Sequence, residues 1–120
     1  MQSLEDYAEQ KKPDESCAVL LGTDWRVSEV IFAENAAESK TSFAIPDEQL
    51  ISIYETAEKK GTDVIGIFHS HPASEAYPSE TDTRFMHINP VVWVIYSGRD
   101  HMSRAFVLKP GISEVPIHVE

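Results

Sequence analysis

The chain has 120 residues, with 20 acidic against 10 basic side chains and a formal net charge of −10 with histidine neutral. Nothing in that balance neutralises phosphates, which argues against nucleic acid and anionic membranes as partners and favours proteins with a basic face. The single Cys17 rules out an internal disulfide, and the apolar runs over 64–68 and 91–95 are far too short to span a membrane.

Residues 1–20 are peppered with Glu, Asp and Lys, so no signal peptide is expected, and the reading is a cytoplasmic protein. A single domain over 1–120 is expected, able to bury about two-thirds of its unfolded surface around one core. Residues 2–12 have helical spacing, with Leu4, Tyr7 and Ala8 on one side, and Pro13 stops the helix. Residues 17–21 form a continuous apolar strand closed by Gly22. The turn Gly22-Thr23-Asp24 leads into a second strand over 25–32, whose alternation slips between Val27 and Val30 and so predicts a bulge.

Residues 41–45 suit a short extended piece. Pro46 fits the first helical position, and Leu50, Tyr54 and Ala57 with Ile51 and Ile53 form a helical stripe. Asp47 and Glu48 at its start and Lys59, Lys60 and Gly61 at its end match the macrodipole and the C-cap. Residues 64–68 and 91–96 are apolar on both faces, which predicts central strands covered by helices on either side. Residues 102–108 and 113–119 follow as strands, the last an edge because it contains Pro116. This order gives an α/β protein, a three-layer α/β/α sandwich around a mixed sheet.

The chemistry concentrates after residue 68. In a strand, the period of two puts His69 and His71 on one face, and Pro72 ends a central strand, leaving both at the sheet end where α/β proteins bind ligands. Asp82, with ten residues between it and His71, is a hard oxygen ligand in what reads as the first turn of a helix. Two neutral nitrogens, one carboxylate and an open position describe the zinc site of a hydrolase rather than a closed structural site. A competing account exists: Ser79-x-x-Asp82 is close to a capping box, in which neither residue does chemistry. The direction of the carboxylate decides between them.

A general base is also required, and the residues alone do not separate Glu15 from Asp14 or Glu34. Glu75 after the histidines suggests a cupin pattern, but that pattern needs glycines where Asp63 and Asp82 stand. The metallo-β-lactamase HxHxDH pattern fails at Ser74 and Glu75. His87, His101 and His118 lack any partner pattern and read as surface or half-buried residues, and Cys17 as a buried core thiol.

His69-Ser70-His71-Pro72 followed by Ser79 and Asp82 resembles the motif of the JAMM (MPN+) zinc metalloproteases, whose pattern is an upstream Glu, HxHP, then a Ser and an Asp at this spacing. Residues 13–22 look like the family's glutamate segment, with Ala18 where Gly is frequent, and residues 35–50, with Asn35, Phe43 and Pro46-Asp47, are similar to its middle. The likeness covers about residues 12–96, resembles the catalytic domain of the proteasome lid deubiquitinase, and suits the stand-alone archaeal and prokaryotic members. Members usually open with a short strand before the first helix, which this sequence does not show.

The resemblance implies a sandwich fold, Zn2+ held by His69, His71 and Asp82, Glu15 as general base and Ser79 as oxyanion donor. It further implies a ubiquitin-like protein with a Gly-Gly C-terminus, and its conjugates, as partner, and allows a proteasome-type or other protein complex. The implied activity is removal of the modifier from a lysine, or trimming of its tail. Alternatives are a peptidase for sulfur-carrier proteins of the ThiS or MoaD kind and a non-catalytic MPN scaffold. Only short connections such as residues 97–101 stand where specialised members carry insertions, so little chain-linkage selectivity is expected.

Overall fold

A computed structural model describes residues 1–33, 45 and 47–119. Their elements are α1 (Gln2–Lys11), β1 (Cys17–Thr23), β2 (Arg26–Ala33), α2 (Asp47–Lys59), β3 (Asp63–His71), α3 (Glu80–Ile88), β4 (Val92–Ser97), β5 (Ser103–Leu108) and β6 (Ile112–Val115). The six strands form one sheet in the order β2-β1-β3-β4-β5-β6. Every pairing is antiparallel except β3 with β4, which α3 joins as a crossover. The two runs that are apolar on both faces therefore take the middle of a mixed sheet, as expected.

Alternation sorts the strand side chains into two layers. On one face Ala18, Leu20, Phe68, Val94 and Tyr96 meet Leu4 and Ala8 of α1. On the other, Ile67, Trp93 and Ile95 meet Met86 of α3, while Val19 and Leu21 meet Ile53 and Ala57 of α2. Full burial of a side chain such as Phe68, 0% exposed, contributes about 1.5–3 kcal/mol. The three layers of the expected sandwich are present.

Several local expectations are corrected. Gly22 does not close β1: it lies inside the strand opposite Val27, where a Cβ would sit 1.9 Å from the Arg26 carbonyl oxygen. Close approach of two backbones requires glycine there, not the turn. The turn itself is Asp24-Trp25, both with positive φ (50° and 65°), as a two-residue hairpin demands. The expected bulge exists, since the register passes from Leu21–Glu29 to Gly22–Val27 and leaves Ser28 as the extra residue.

Helix α2 buries Ile53 and Ala57, whereas Ile51 and Tyr54 are exposed at 60% and 45%. The expected stripe joined two adjacent faces, only one of which meets the sheet. Its C-terminus is as expected: Gly61 at φ 69° lets the Thr62 N–H reach the Ala57 carbonyl at 2.9 Å. Strand β6 stops at Val115, before Pro116, because proline cannot donate to a ladder. The extended piece over 41–45, apart from Ile45, lies outside the described residues, as do Pro46, Asn35, Phe43 and Glu34.

Candidate metal centre

Strand β3 runs to His71, so the alternation that buries Ile67 under α3 also turns His69 and His71 to that face. His69 is fully buried with its ring edge against Trp93, centroids 5.7 Å apart. Pro72 then ends the strand and the chain turns into α3, whose N-cap is Ser79. The capping box is complete: the Asp82 N–H donates to Ser79 Oγ at 3.1 Å, and the Ser79 N–H donates to Asp82 Oδ2 at 2.9 Å. That same Oδ2 lies 3.1 Å from His69 Nε2 and 3.0 Å from His71 Nε2, and the two nitrogens are 3.1 Å apart. The capping and metal accounts therefore do not exclude each other, because one oxygen faces both the helix end and the imidazoles.

His71 Nδ1 lies 2.9 Å from the Glu75 carbonyl. A carbonyl only accepts, so Nδ1 carries the hydrogen and the neutral ring presents the lone pair of Nε2 inward. That lone pair would face the Asp82 carboxylate, an arrangement that needs a proton or a cation between them. The titration directions agree. Burial opposes charge on His71, but the hydrogen bonds to Asp82 and the Glu75 carbonyl and the charges of Asp82 and Glu15 outweigh it and raise its pKa. Burial lowers that of His69 against the pull of Asp82. Burial disfavours the Asp82 carboxylate, yet the hydrogen bonds from both histidines hold it well below the usual range. Among the described residues, His69, His71 and Asp82 form a buried group that could hold a metal ion, and this nitrogen and oxygen set suits zinc.

Glu15 precedes β1 and is 5% exposed, while Asp14 is half-buried. Burial, with the Asp82 charge, pushes its carboxyl up to about 7 against the attraction of His71. Ser79 is exposed, and its side-chain oxygen accepts from the Asp82 N–H. The structure thus brings His69, His71 and Asp82 into direct contact, with Ser79 hydrogen-bonded to Asp82 and Glu15 buried close enough to feel the charges of His71 and Asp82. As expected, His87, His101 and His118 are exposed and Cys17 is 0% exposed.

Some supporting residues escape sequence reasoning. Ser97, fully buried, donates to the Ser74 carbonyl at 2.7 Å, and the Gly98 N–H donates to the His71 carbonyl at 2.9 Å, so the end of β4 holds the loop after β3. Ser16 and Ser70 are buried and joined by hydrogen bonds between their side chains and backbones. The only signal for them is a hydroxyl at a position where the strand pattern calls for an apolar side chain.

A sheet sandwiched by helices, with two histidines at a strand end and an aspartate in the first turn of the next helix, is the architecture of the JAMM proteins. The chain belongs to the family described as prokaryotic homologs of the JAB domain, whose profile matches residues 1–109. It is 38% identical over 108 residues to a desampylase of Pyrococcus furiosus, covering 88% of this chain and 76% of that one. It is 31% identical over 119 residues to the CysO-cysteine peptidase of Mycobacterium tuberculosis, covering 94% and 82%. A protein of Desulfitobacterium hafniense solved in solution superposes with a TM-score of 0.85 at 28% identity, covering 100% of this chain and 88% of that one. A JAB1/MPN domain protein from Archaeoglobus fulgidus shares the fold, with a TM-score of 0.62 at 22% identity over 95% and 89% of the two chains.

Proposed function

We propose that this chain is a zinc-dependent peptidase that cleaves after the C-terminal Gly-Gly of a ubiquitin-like modifier, from a lysine conjugate or a linear fusion, with residues 1–120 acting as one cytoplasmic domain. The observation that carries the reading is the buried triangle of His69, His71 and Asp82 with the buried Glu15 carboxyl coupled to it. Among the described residues no helix is long and apolar enough to cross a membrane.

His69, His71 and Asp82 would hold the ion, which would supply Lewis-acid polarisation of the scissile carbonyl and acidify water. Glu15, whose carboxyl burial pushes up to about 7, takes the proton from the attacking water and returns it to the leaving amine. The new C–O bond replaces the broken C–N bond. Ser79 offers its O–H to the developing oxyanion. A tail passing close to His71 and Ser79 must be slim, which two glycines provide.

The relative named a desampylase supports a modifier-removing activity. The relative named a CysO-cysteine peptidase, matched over 94% of this chain, supports a second reading in which the substrate is a sulfur carrier. A scaffold role is disfavoured because the full donor set is kept.

Zinc-loaded protein should cut a linear modifier fusion ending in Gly-Gly and cut the Val-Val version far more slowly. Glu15→Gln should retain zinc while turnover falls by about 10²–10⁴. Equal rates on both tails would reject the narrow passage. Near-normal turnover in Glu15→Gln would move the base elsewhere, to Asp14 or Glu34 first.

A further inference from the structure

Glu15 stands outside β1, and something other than the ladder must fix where its carboxyl lies. The β1–β3 register pairs Val19 with Ile67, Ala18 with Phe68 and Cys17 with His69. Carried one step further it sets Ser16 opposite Ser70, and at the next step Glu15 opposite His71. Alternation then places Glu15 on the histidine face, and Ser70 on the opposite face, that of Phe68 and Val94.

At the Ser16–Ser70 step the ladder is only half made of backbone. The Ser70 N–H donates to the Ser16 carbonyl at 3.0 Å, as in an ordinary antiparallel pair. The Ser16 N–H instead donates to the Ser70 side-chain oxygen at 2.9 Å, and the Ser16 hydroxyl donates to the same oxygen at 2.9 Å. Both serines are buried, at 2% and 1% exposure. A hydroxyl in that apolar layer gains nothing from packing and must be hydrogen-bonded to be tolerated. Its position is the one from which it can grip the backbone next to Glu15.

We infer that Ser70 is a positioning residue for the reaction: its hydroxyl clasps the Ser16 N–H and thereby sets the Glu15 carboxyl against the His69, His71 and Asp82 group. Ser70 acts through Glu15, so the inference rests on the base role proposed above. A side chain that fixes a reacting group to within an ångström can govern about 10²-fold in rate.

The test is a cycle of Ser70→Ala, Glu15→Gln and the double variant, assayed zinc-loaded on the Gly-Gly fusion. Ser70→Ala should lose about 10- to 100-fold in kcat with KM and zinc content unchanged. The double variant should be no slower than Glu15→Gln alone, since a lost base cannot be misplaced. Amide hydrogen exchange gives a readout apart from activity: protection should fall at Ser16 in Ser70→Ala and hold at Phe68. Ser70→Thr, which keeps the hydroxyl, should restore most of the turnover. Ser70→Cys, close in volume and a weaker acceptor, should fold even if the alanine variant does not and show a smaller loss of the same kind.

Wild-type turnover in Ser70→Ala or Ser70→Cys overturns the inference, as does a further loss in the double variant, which would mark a general structural role. If Glu15→Gln is itself active, the base assignment has failed; if Glu15→Gln is inactive and Ser70→Ala is not, only the clasp has.

Discussion

Asp82 Oδ2 serves two structures at once, closing the box at the start of α3 and facing both imidazoles. Substitution separates the two. Asparagine keeps an oxygen that can accept from the Ser79 N–H but loses the charge, and alanine loses both. Asp82→Asn and Asp82→Ala should both fail to retain one equivalent of zinc on dialysis and should lose turnover. The alanine variant should additionally be less stable than the asparagine variant by about 1 kcal/mol, read from urea midpoints. An asparagine variant with full zinc and turnover would leave Asp82 as a cap alone. The donors were legible in the sequence because coordination demands particular side chains, and here all three fall in one short stretch, 69–82. The Glu75 carbonyl that fixes the His71 ring was not, because a backbone oxygen has no letter of its own. Ser70 was not because its work is done on the opposite face from its two neighbours.

Among the elements, α1 is tied to the histidine end of the sheet by two carboxylates, Glu5 accepting from Ser103 Oγ and Glu9 making the larger set of contacts. Glu9 Oε1 accepts from the Tyr96 hydroxyl at 2.6 Å and lies 2.9 Å from His101 Nδ1, and Oε2 pairs with Lys12 Nζ at 2.6 Å. Lys12 also donates to the Gly98 carbonyl at 3.1 Å, next to the N–H that holds the His71 carbonyl. Gly98 has no room for a side chain there, since a Cβ would lie 2.5 Å from the Pro72 carbonyl oxygen. The hydrogen bonds from Lys12 and Tyr96 lower the Glu9 pKa to about 2 from 4.5. A carboxyl depressed in the folded state stabilises it above the unfolded value and loses that contribution as pH falls through the folded one. The stability difference between wild type and Glu9→Gln should therefore be full at pH 6 and close between about pH 4.5 and 2, as read from denaturant midpoints. A difference independent of pH would show that packing, not charge, matters at Glu9. Strand and helix order was legible from alternation and capping. The face of α2 was not, since Ile53 and Ala57 interleave with Ile51 and Tyr54 and only the sheet decides which set is covered.

For the whole molecule, topology sets what must come together, and when. The candidate cation donors lie on one strand and one helix end, and α3 leads directly into β4 beside β3. Glu15 comes from a segment that meets β3 through pairs such as Ser16 with Ser70, 54 positions apart. Closing the longer loop costs more chain entropy, and non-local pairing slows folding. Under the proposed function, capture of the ion and docking of the base would be separate events. On refolding with zinc, uptake of the ion should run ahead of the return of turnover in stopped-flow measurements, and simultaneous recovery would show that the parts assemble as one. If the ion and Glu15 act as proposed, a chain whose first strand is still unpaired would hold its metal in a hydrolytically silent state, because Glu15 reaches the site only with that strand.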